Sequence, residues 1–485
     1  MIRQKTFWIV LGITIIALFL RTNHLRTLPP GLYPDEAMNG SNALEAISTG
    51  EYKVFYPENN GREGLFINIQ AQFLKFFLSL NGNQPEPWML RFPSAIFGTL
   101  TVLGIFFLGK ELFGAQAGIL SSLFLATSFW HIMFSRIGFR AIMAPLLLIW
   151  GSYFFLRAIR TTSINGKWSY YYSILAGAIY GLGFYTYIAY RITPLLFLLF
   201  IPFFRREKDF WRLTAVFLGA TILVALPIGL YYLANPADFL GRTSQVSVFS
   251  SPNPVKDLSL NTLKTLGMFN FQSDFNWRHN DAGKPQLFWL VGIFFIVGIV
   301  KMIQRIIKSP REEKFPPLFL FLGAILTAMP VVISNEGIPH ALRAILMIPL
   351  VFLFAGIGAS EIYERLRKNS WSTTILPVSI AVLLIAEAYS AYFVRWGESP
   401  HVPGAFSANY VKLGYELNAL PRDIPKYIVV RGGGVLVNGI PMPSQTVMYI
   451  TDTYTKEKQA AKNIFYIIPE NEDSIPLGAL KIDLY

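Results

Sequence analysis

The sequence predicts an all-α polytopic membrane protein with a small α/β module after its last span. Three observations carry this. Hydrophobic residues make up 53% of the 485 positions and charged ones only 15%, with a mean hydropathy of +0.42, well outside the soluble norm. About eleven apolar runs approach the ~20 residues needed to cross the hydrocarbon core. After Phe393, Pro, Gly, Asp and Lys return and the apolar runs shorten to strand length.

Taken in order, the runs lie near Phe7 to Arg21, Arg91 to Phe113, Ala115 to Phe134, Ala141 to Ile159, Tyr170 to Tyr187, Thr193 to Phe204, Leu213 to Leu233, Leu287 to Ile307, Pro317 to Ile333, Ala341 to Tyr363 and Ser372 to Phe393. The first follows Met1-Ile2-Arg3-Gln4-Lys5 with no small-residue cleavage site after it, so it reads as a retained helix and not a signal peptide. Thr193 to Phe204 is short and needs to begin near Ile188 to span.

Basic clusters fix the sides. Arg3 and Lys5, Arg157 to Lys167, Arg205 to Arg212, Lys301 to Lys314 and Arg365 to Lys368 fall on one side of this count, which the positive-inside rule makes cytoplasmic. The net charge of +13 is thereby explained by topology, and no nucleic-acid partner is expected. In the cytoplasmic membrane the N-terminus is expected on the cytoplasmic side, and the C-terminus and the active site on the outer side. Trp88, Trp130, Trp289 and Trp396 read as interfacial anchors. With no cysteine, disulfides, thiolate nucleophiles and thiolate metal sites are excluded.

Residues 1–393 thus form a transmembrane domain, within which 23–90 make a first outer loop. Asn42 to Ile47 and Leu65 to Leu80 mix polar and apolar residues as interfacial helices do. Residues 394–485 form the outer module, with strands expected at Tyr427 to Val430, Val435 to Val437, Thr446 to Ile450 and Asn463 to Ile468. Gly432-Gly433-Gly434 lacks a following helix at phosphate-loop spacing and reads as a turn.

The first outer loop holds a polar island. Leu32-Tyr33-Pro34-Asp35-Glu36 is followed by Tyr56-Pro57-Glu58-Asn59-Asn60-Gly61-Arg62-Glu63-Gly64-Leu65-Phe66. Ionisable groups pinned beside apolar spans are costly, which makes them candidates for a task. The proline disfavours helix at Tyr33, so the two carboxylates open a helix; acids suit a first turn in any protein. The company of Glu58, Arg62 and Glu63 is what separates this island from an ordinary helix start.

Several stretches together resemble the polytopic glycosyltransferases of the C superfold. These are the Asp-Glu pair after a first span, Arg62-Glu63-Gly64-Leu65-Phe66, Leu90-Arg91-Phe92-Pro93-Ser94-Ala95 opening the second span, and Leu108 to Gly114 closing it. Among these enzymes the chain is most similar to the protein-O-mannosyltransferase and aminoarabinose-transferase group, family 39. Ser135 to Arg140 and Pro339-His340-Ala341-Leu342-Arg343 are similar to stretches of bacterial members. Order and spacing carry the resemblance, firmly over roughly the first 160 residues.

The resemblance implies transfer of a sugar from a polyprenyl-phosphate donor to a glycan, lipid or protein acceptor on the outer face of the membrane, with inversion. Asp35 corresponds to the family's loop-one aspartate and is expected as general base, with Glu36 orienting the acceptor or sharing that work. Arg62 falls where several members place a phosphate-binding lysine. Glu58 and Glu63 are expected to position it. Arg91, Arg136, Arg140, His340 and Arg343 stand at outer span ends as candidate phosphate partners, with Arg191 the weakest of the set. No cofactor is expected; a divalent ion on Asp35, Glu58 and Glu63 is conceivable on oxygen chemistry alone but not favoured, since no ligand spacing supports it. The alternative function is a transporter or lipid-linked-sugar flippase, against which stands the crowding of polar residues on one face.

Overall fold

The protein is described here from a computed structural model in which residues 2–162, 166–239, 247–367 and 371–485 are described. Lys368, part of one expected basic cluster, lies outside the described residues.

Among the described residues, eight helices are long and apolar enough to cross a membrane: Gln4–Thr22, Pro87–Phe113, Arg140–Thr161, Phe210–Ala234, Trp289–Lys308, Phe315–Val332, Ile345–Leu366 and Thr373–Trp396. These answer to eight of the eleven expected spans. The other three are not continuous helices of spanning length. Gly166–Leu182 gives way to a 3₁₀ turn at Gly183–Tyr185, and the segment after it does begin at Ile188, as 3₁₀ turns and two short helical pieces ending at Phe204.

The third is the run Ala115 to Phe134, which breaks into helices Ala115–Ala126 and Phe129–Phe134. The cause is on the first helix, α1 (Ile2–Thr22). Its Arg21, fully buried, donates to the carbonyls of Leu125 and Ala126 at 3.3 and 3.1 Å. These are carbonyls that a terminating helix leaves unpaired. Ser128 then caps the next helix by accepting from the His131 amide. An ionisable residue at the end of one span thus ends another.

Pro87–Phe113 packs on α1 and on Ala115–Ala126; Arg140–Thr161 packs on Gly166–Leu182, and Trp289–Lys308 on Ile348–Leu366. Ile345–Leu366 is the central span, with 83% of its apolar window buried, whereas Thr373–Trp396 has 17% and leaves its flanks to lipid. The expected anchors divide accordingly. Trp289 is exposed, but Trp130 and Trp396 are fully buried and donate their indole N–H to the carbonyls of Ala341 and Trp277. They are core residues that bind loops to the bundle.

Between the first two long spans lie helices α2 (Pro34–Thr49) and α3 (Leu65–Leu80) and a short hairpin of strands β1 (Phe55–Tyr56) and β2 (Arg62–Glu63). The sixteen residues of α3 are fewer than a span needs. After Trp396, strands Ile464–Ile467, Lys426–Val430 and Leu480–Leu484 form a parallel sheet with Lys426–Val430 in the middle. Two expectations are corrected there. Thr446 to Ile450 is not a strand but part of helix Ser444–Thr451, whose every residue is buried; a short run buried all round has no period to distinguish helix from strand. Leu480–Leu484 is a strand that its alternation of Leu480, Ile482 and Leu484 with Lys481 and Asp483 could have announced. Helix Ser444–Thr451 packs flat on α2: a Cβ on Gly40 would come within 2.5 Å of the Tyr449 ring.

Candidate active site

The local sequence decides how the two acids part company. Tyr33 is extended, as the residue before proline must be, and Pro34 starts α2 with its fixed φ. Asp35 and Glu36 are then consecutive helical residues, about 100° apart around the axis. One faces outward and the other inward. Asp35 remains partly exposed and accepts a short hydrogen bond from the Asn59 side chain.

Glu36 is fully buried. Its Oε2 accepts from Arg91 Nε at 3.0 Å and from the Gly138 amide at 2.6 Å, and its Oε1 from Arg91 Nη2 at 3.1 Å. Arg91, itself fully buried, also donates to the carbonyls of Pro29 and Gly31. The expectation that Glu36 meets the acceptor is therefore corrected: both its oxygens are engaged inside the protein. Arg91 is corrected with it from a phosphate partner to a strut. So is Arg136, fully buried, donating to the carbonyls of Leu20 and Leu28 and covered by the rings of Tyr392 and Phe393.

The hairpin sorts the next pair by the same logic. Adjacent strand residues point to opposite faces, so Arg62 turns to α2 and Glu63 away from it. Asn59, Asn60 and Gly61 take left-handed φ of 51°, 62° and 78°, and this tight turn brings Asn59 to Asp35. Arg62 donates to the side-chain oxygens of Asn39 at 2.6 Å and Asn42 at 3.0 Å; these asparagines, three apart, share one face of α2. Burial first, and then the charge of Arg140, pushes the Arg62 guanidinium down to about 10 against the pull of Asp35 and Glu58. It stays a cation at neutral pH, bonded to neutral amides. Its Nε and Glu58 Oε2 are buried without a hydrogen-bond partner. Each outer nitrogen of Arg62 gives an N–H to Asn39 or Asn42 and the residue is 3% exposed, so the guanidinium is enclosed where the sequence reading expected an open phosphate grip.

Glu63 opens a second cluster. Its Oε2 accepts from Arg140 Nε at 2.7 Å, while Oε1 lies 3.6 Å from Arg191 Nη2 and 3.4 Å from the Tyr232 hydroxyl. The Glu63 side chain is 4% exposed, but those of Arg140 and Arg191 are 17% and 20% exposed. Arg191 is stacked on Phe239 and Tyr232 and donates to the Phe239 carbonyl at 2.7 Å and to the Tyr232 hydroxyl at 2.9 Å, while the outer face of its side chain stays partly open. One carboxylate between two guanidiniums leaves one positive charge over, on the side that is partly open. Arg191, weakest on sequence, is one of the two arginines that reach this cluster. Its signal was there in the aromatic residues of Tyr231-Tyr232, which lie far away in sequence and gave no spacing to read.

His340 and Arg343 do not touch this island. Arg343 pairs with Glu336 at 3.2 Å. His340 lies 3.8 Å from Asp274 Oδ2, and His279 lies 3.2 Å from the same oxygen. Burial, and then the charge of His279, pushes His340 down to about 3, so its imidazole is neutral at neutral pH and is no cation for a phosphate. Neither Asp274 nor His279 was singled out from sequence. Among the described residues these three form a group with converging metal-competent atoms; Asp35, Glu58 and Glu63 do not.

Residues 69–232 match the sequence profile of the dolichyl-phosphate-mannose-protein mannosyltransferases. No curated protein matches the chain. Among solved structures, ArnT from Cupriavidus metallidurans bound to undecaprenyl phosphate superposes with a TM-score of 0.59 at 14% identity, over 99% of this chain and 90% of ArnT. The apo oligosaccharyltransferase of Archaeoglobus fulgidus gives 0.58 at 14% identity over 91% of this chain. The oligosaccharyltransferase AglB from Archaeoglobus fulgidus in complex with an inhibitory peptide and a dolichol-phosphate gives 0.56, also at 14% identity, over 92% of this chain. This chain spans 64% of the length of the archaeal enzyme. The fold is shared, and it is a polytopic membrane fold.

Proposed function

We propose that this chain, which has the C-superfold architecture of the ArnT and AglB glycosyltransferases and a mannosyltransferase profile over residues 69–232, moves a sugar from a polyprenyl-phosphate donor to an acceptor hydroxyl on the outer face of the cytoplasmic membrane. One observation supports this most: a single five-residue hairpin turn and its strands put a partly open carboxylate, Asp35, on one side and a partly open arginine pair, Arg140 and Arg191, on the other. Glycosyl transfer from a phosphate needs both, a base where the acceptor loses its proton and cations where the leaving phosphate gains charge.

In this reading the acceptor hydroxyl gives its proton to Asp35 as its oxygen bonds to the sugar's anomeric carbon. The bond from that carbon to the phosphate oxygen breaks from the opposite side, so the configuration inverts. Arg140 and Arg191 meet the charge that collects on the departing polyprenyl phosphate. Glu63 lies between the two arginines and limits their net charge, so that the phosphate is bound but released. Asn59 aims Asp35, and Arg62, held by Asn39 and Asn42, supplies a buried positive charge on the α2 side of the hairpin.

The test is to incubate purified protein with a panel of polyprenyl-phosphate sugars and to measure polyprenyl phosphate released with and without an acceptor alcohol. Release from at least one donor, stimulated by acceptor, is the expected result. No release from any member of the panel under conditions where the protein remains folded would overturn the reading.

A further inference from the structure

Asp274, His279 and His340 come from two loops far apart in sequence, the first preceding helix Trp289–Lys308 and the second preceding Ile345–Leu366. Their three ligand atoms all lie within 4.8 Å of one another, and the two histidines face Asp274 Oδ2 through Nδ1 at 3.2 and 3.8 Å. The carboxylate is 5% exposed and His279 6%. An ordinary hydrogen bond accounts for His279 and Asp274. It does not account for His340, whose Nδ1 is too far from Oδ2 to bond to it; among the described residues its ring meets that of His279 and its Nδ1 receives a long contact of 3.5 Å from the Arg343 amide.

Two imidazoles and a carboxylate converging on one point have a simpler description. Ligand atoms about 2.0–2.2 Å from a tetrahedral zinc ion sit about 3.3–3.5 Å from each other; the two histidine nitrogens lie 3.2 and 3.8 Å from the carboxylate oxygen, and all three atoms are within 4.8 Å, so a small closure of the two loops brings them to that spacing. We propose that Asp274, His279 and His340 bind one first-row divalent transition ion, zinc by preference, which pins the 273–286 loop to the 335–344 loop. Nitrogen donors select such an ion over magnesium or calcium. Three protein ligands leave a fourth position for water or another group.

The surroundings are built to hold this geometry before any ion arrives. The Asn276 amide donates to Asp274 Oδ1 at 2.8 Å and the Ala341 amide to Oδ2 at 2.9 Å. Asn280 donates to the carbonyls of Asp274 and Lys284, and the His279 ring lies against Phe134. Two cations stand near. Arg343 is paired with Glu336, and Arg278 lies 3.7 Å over the ring of Tyr33, so neither guanidinium fills the place of the ion. The Arg278 contact also gives the site a consequence: the loop it orders rests on Tyr33, the extended residue just before α2, one step before Pro34 and two before Asp35. The role is one of support, independent of the transfer reaction.

Full-length protein in detergent, stripped with a chelator, would be titrated with Co²⁺ followed by its visible absorption, and with Zn²⁺ followed by melting temperature. One equivalent of cobalt with the intense bands of a tetrahedral site is expected in the wild type, together with a melting temperature that rises with zinc concentration as ligand linkage requires. His340→Gln and His279→Gln should each lose at least about tenfold in cobalt affinity and lose the zinc-dependent rise. A wild type with no stoichiometric cobalt spectrum overturns the proposal, and so do variants that bind cobalt as tightly as the wild type. Should one variant fail to fold, the other and the wild-type stoichiometry decide.

Discussion

Glu36 and Arg91 face each other in a two-point ion pair at 3.0 and 3.1 Å with neither side chain exposed. One sequence position away, Asp35 is partly open and held by a neutral amide. Two adjacent acids therefore have opposite duties, and substitutions should separate them. Glu36→Gln leaves Arg91 as a buried charge with a weaker partner, a loss on the order of 3–5 kcal/mol at most for a fully broken pair. The expected outcome is a clearly lower melting temperature of the detergent-solubilised protein. A variant that melts like the wild type would contradict the strut role.

Asp35→Asn removes charge and little shape. Turnover should fall by about 10²-fold or more, the usual worth of a general base, while melting temperature and binding of polyprenyl phosphate stay near wild type. Unchanged turnover would remove Asp35 from the base role.

Arg140 and Arg191 are predicted to act on the donor. Arg191→Ala should raise the apparent KM for the polyprenyl-phosphate sugar by about tenfold, the loss of one charge-assisted hydrogen bond, and leave the acceptor KM alone. Arg191→Lys, which keeps charge but not the fork, should recover part of it. A shift confined to the acceptor would place the phosphate elsewhere. By contrast Arg62→Ala should lower stability, since Asn39 and Asn42 lose their shared donor.

Gly40 is where α2 and helix Ser444–Thr451 meet, with the Tyr449 ring where a Cβ would be. Gly40→Val should overpack this contact at a cost of about 1–3 kcal/mol and lower both melting temperature and turnover. Tyr449→Ala in the same chain should restore part of the loss. An additive double variant would show that the contact does not matter.

The topology can be read directly because the chain has no cysteine. A single cysteine at Gln84, exposed in the turn before the second long span, should react with an impermeant maleimide in intact cells. Labelling only after permeabilisation would invert the orientation.

Composition and pattern by themselves determined that the chain is a polytopic membrane protein, where eight of its long helices run, and that a helix opens at Pro34 with two acids in its first turn. These depend on solvent and on local backbone rules, which act on neighbouring residues. The order of motifs also pointed to the fold that this chain shares with ArnT and the archaeal oligosaccharyltransferase. Sequence could not decide which charged residues are free. Glu36, Arg91 and Arg136 look like site residues in one dimension, and each is used up by partners 55, 60 or more than 100 positions away. Nor could it see that Arg21 would end the helix at Ala126, or that Arg191, Asp274 and His279 would find their partners. A buried charge is satisfied by whatever the fold brings within about 3 Å, and that distance is set by packing between helices, not by spacing along the chain.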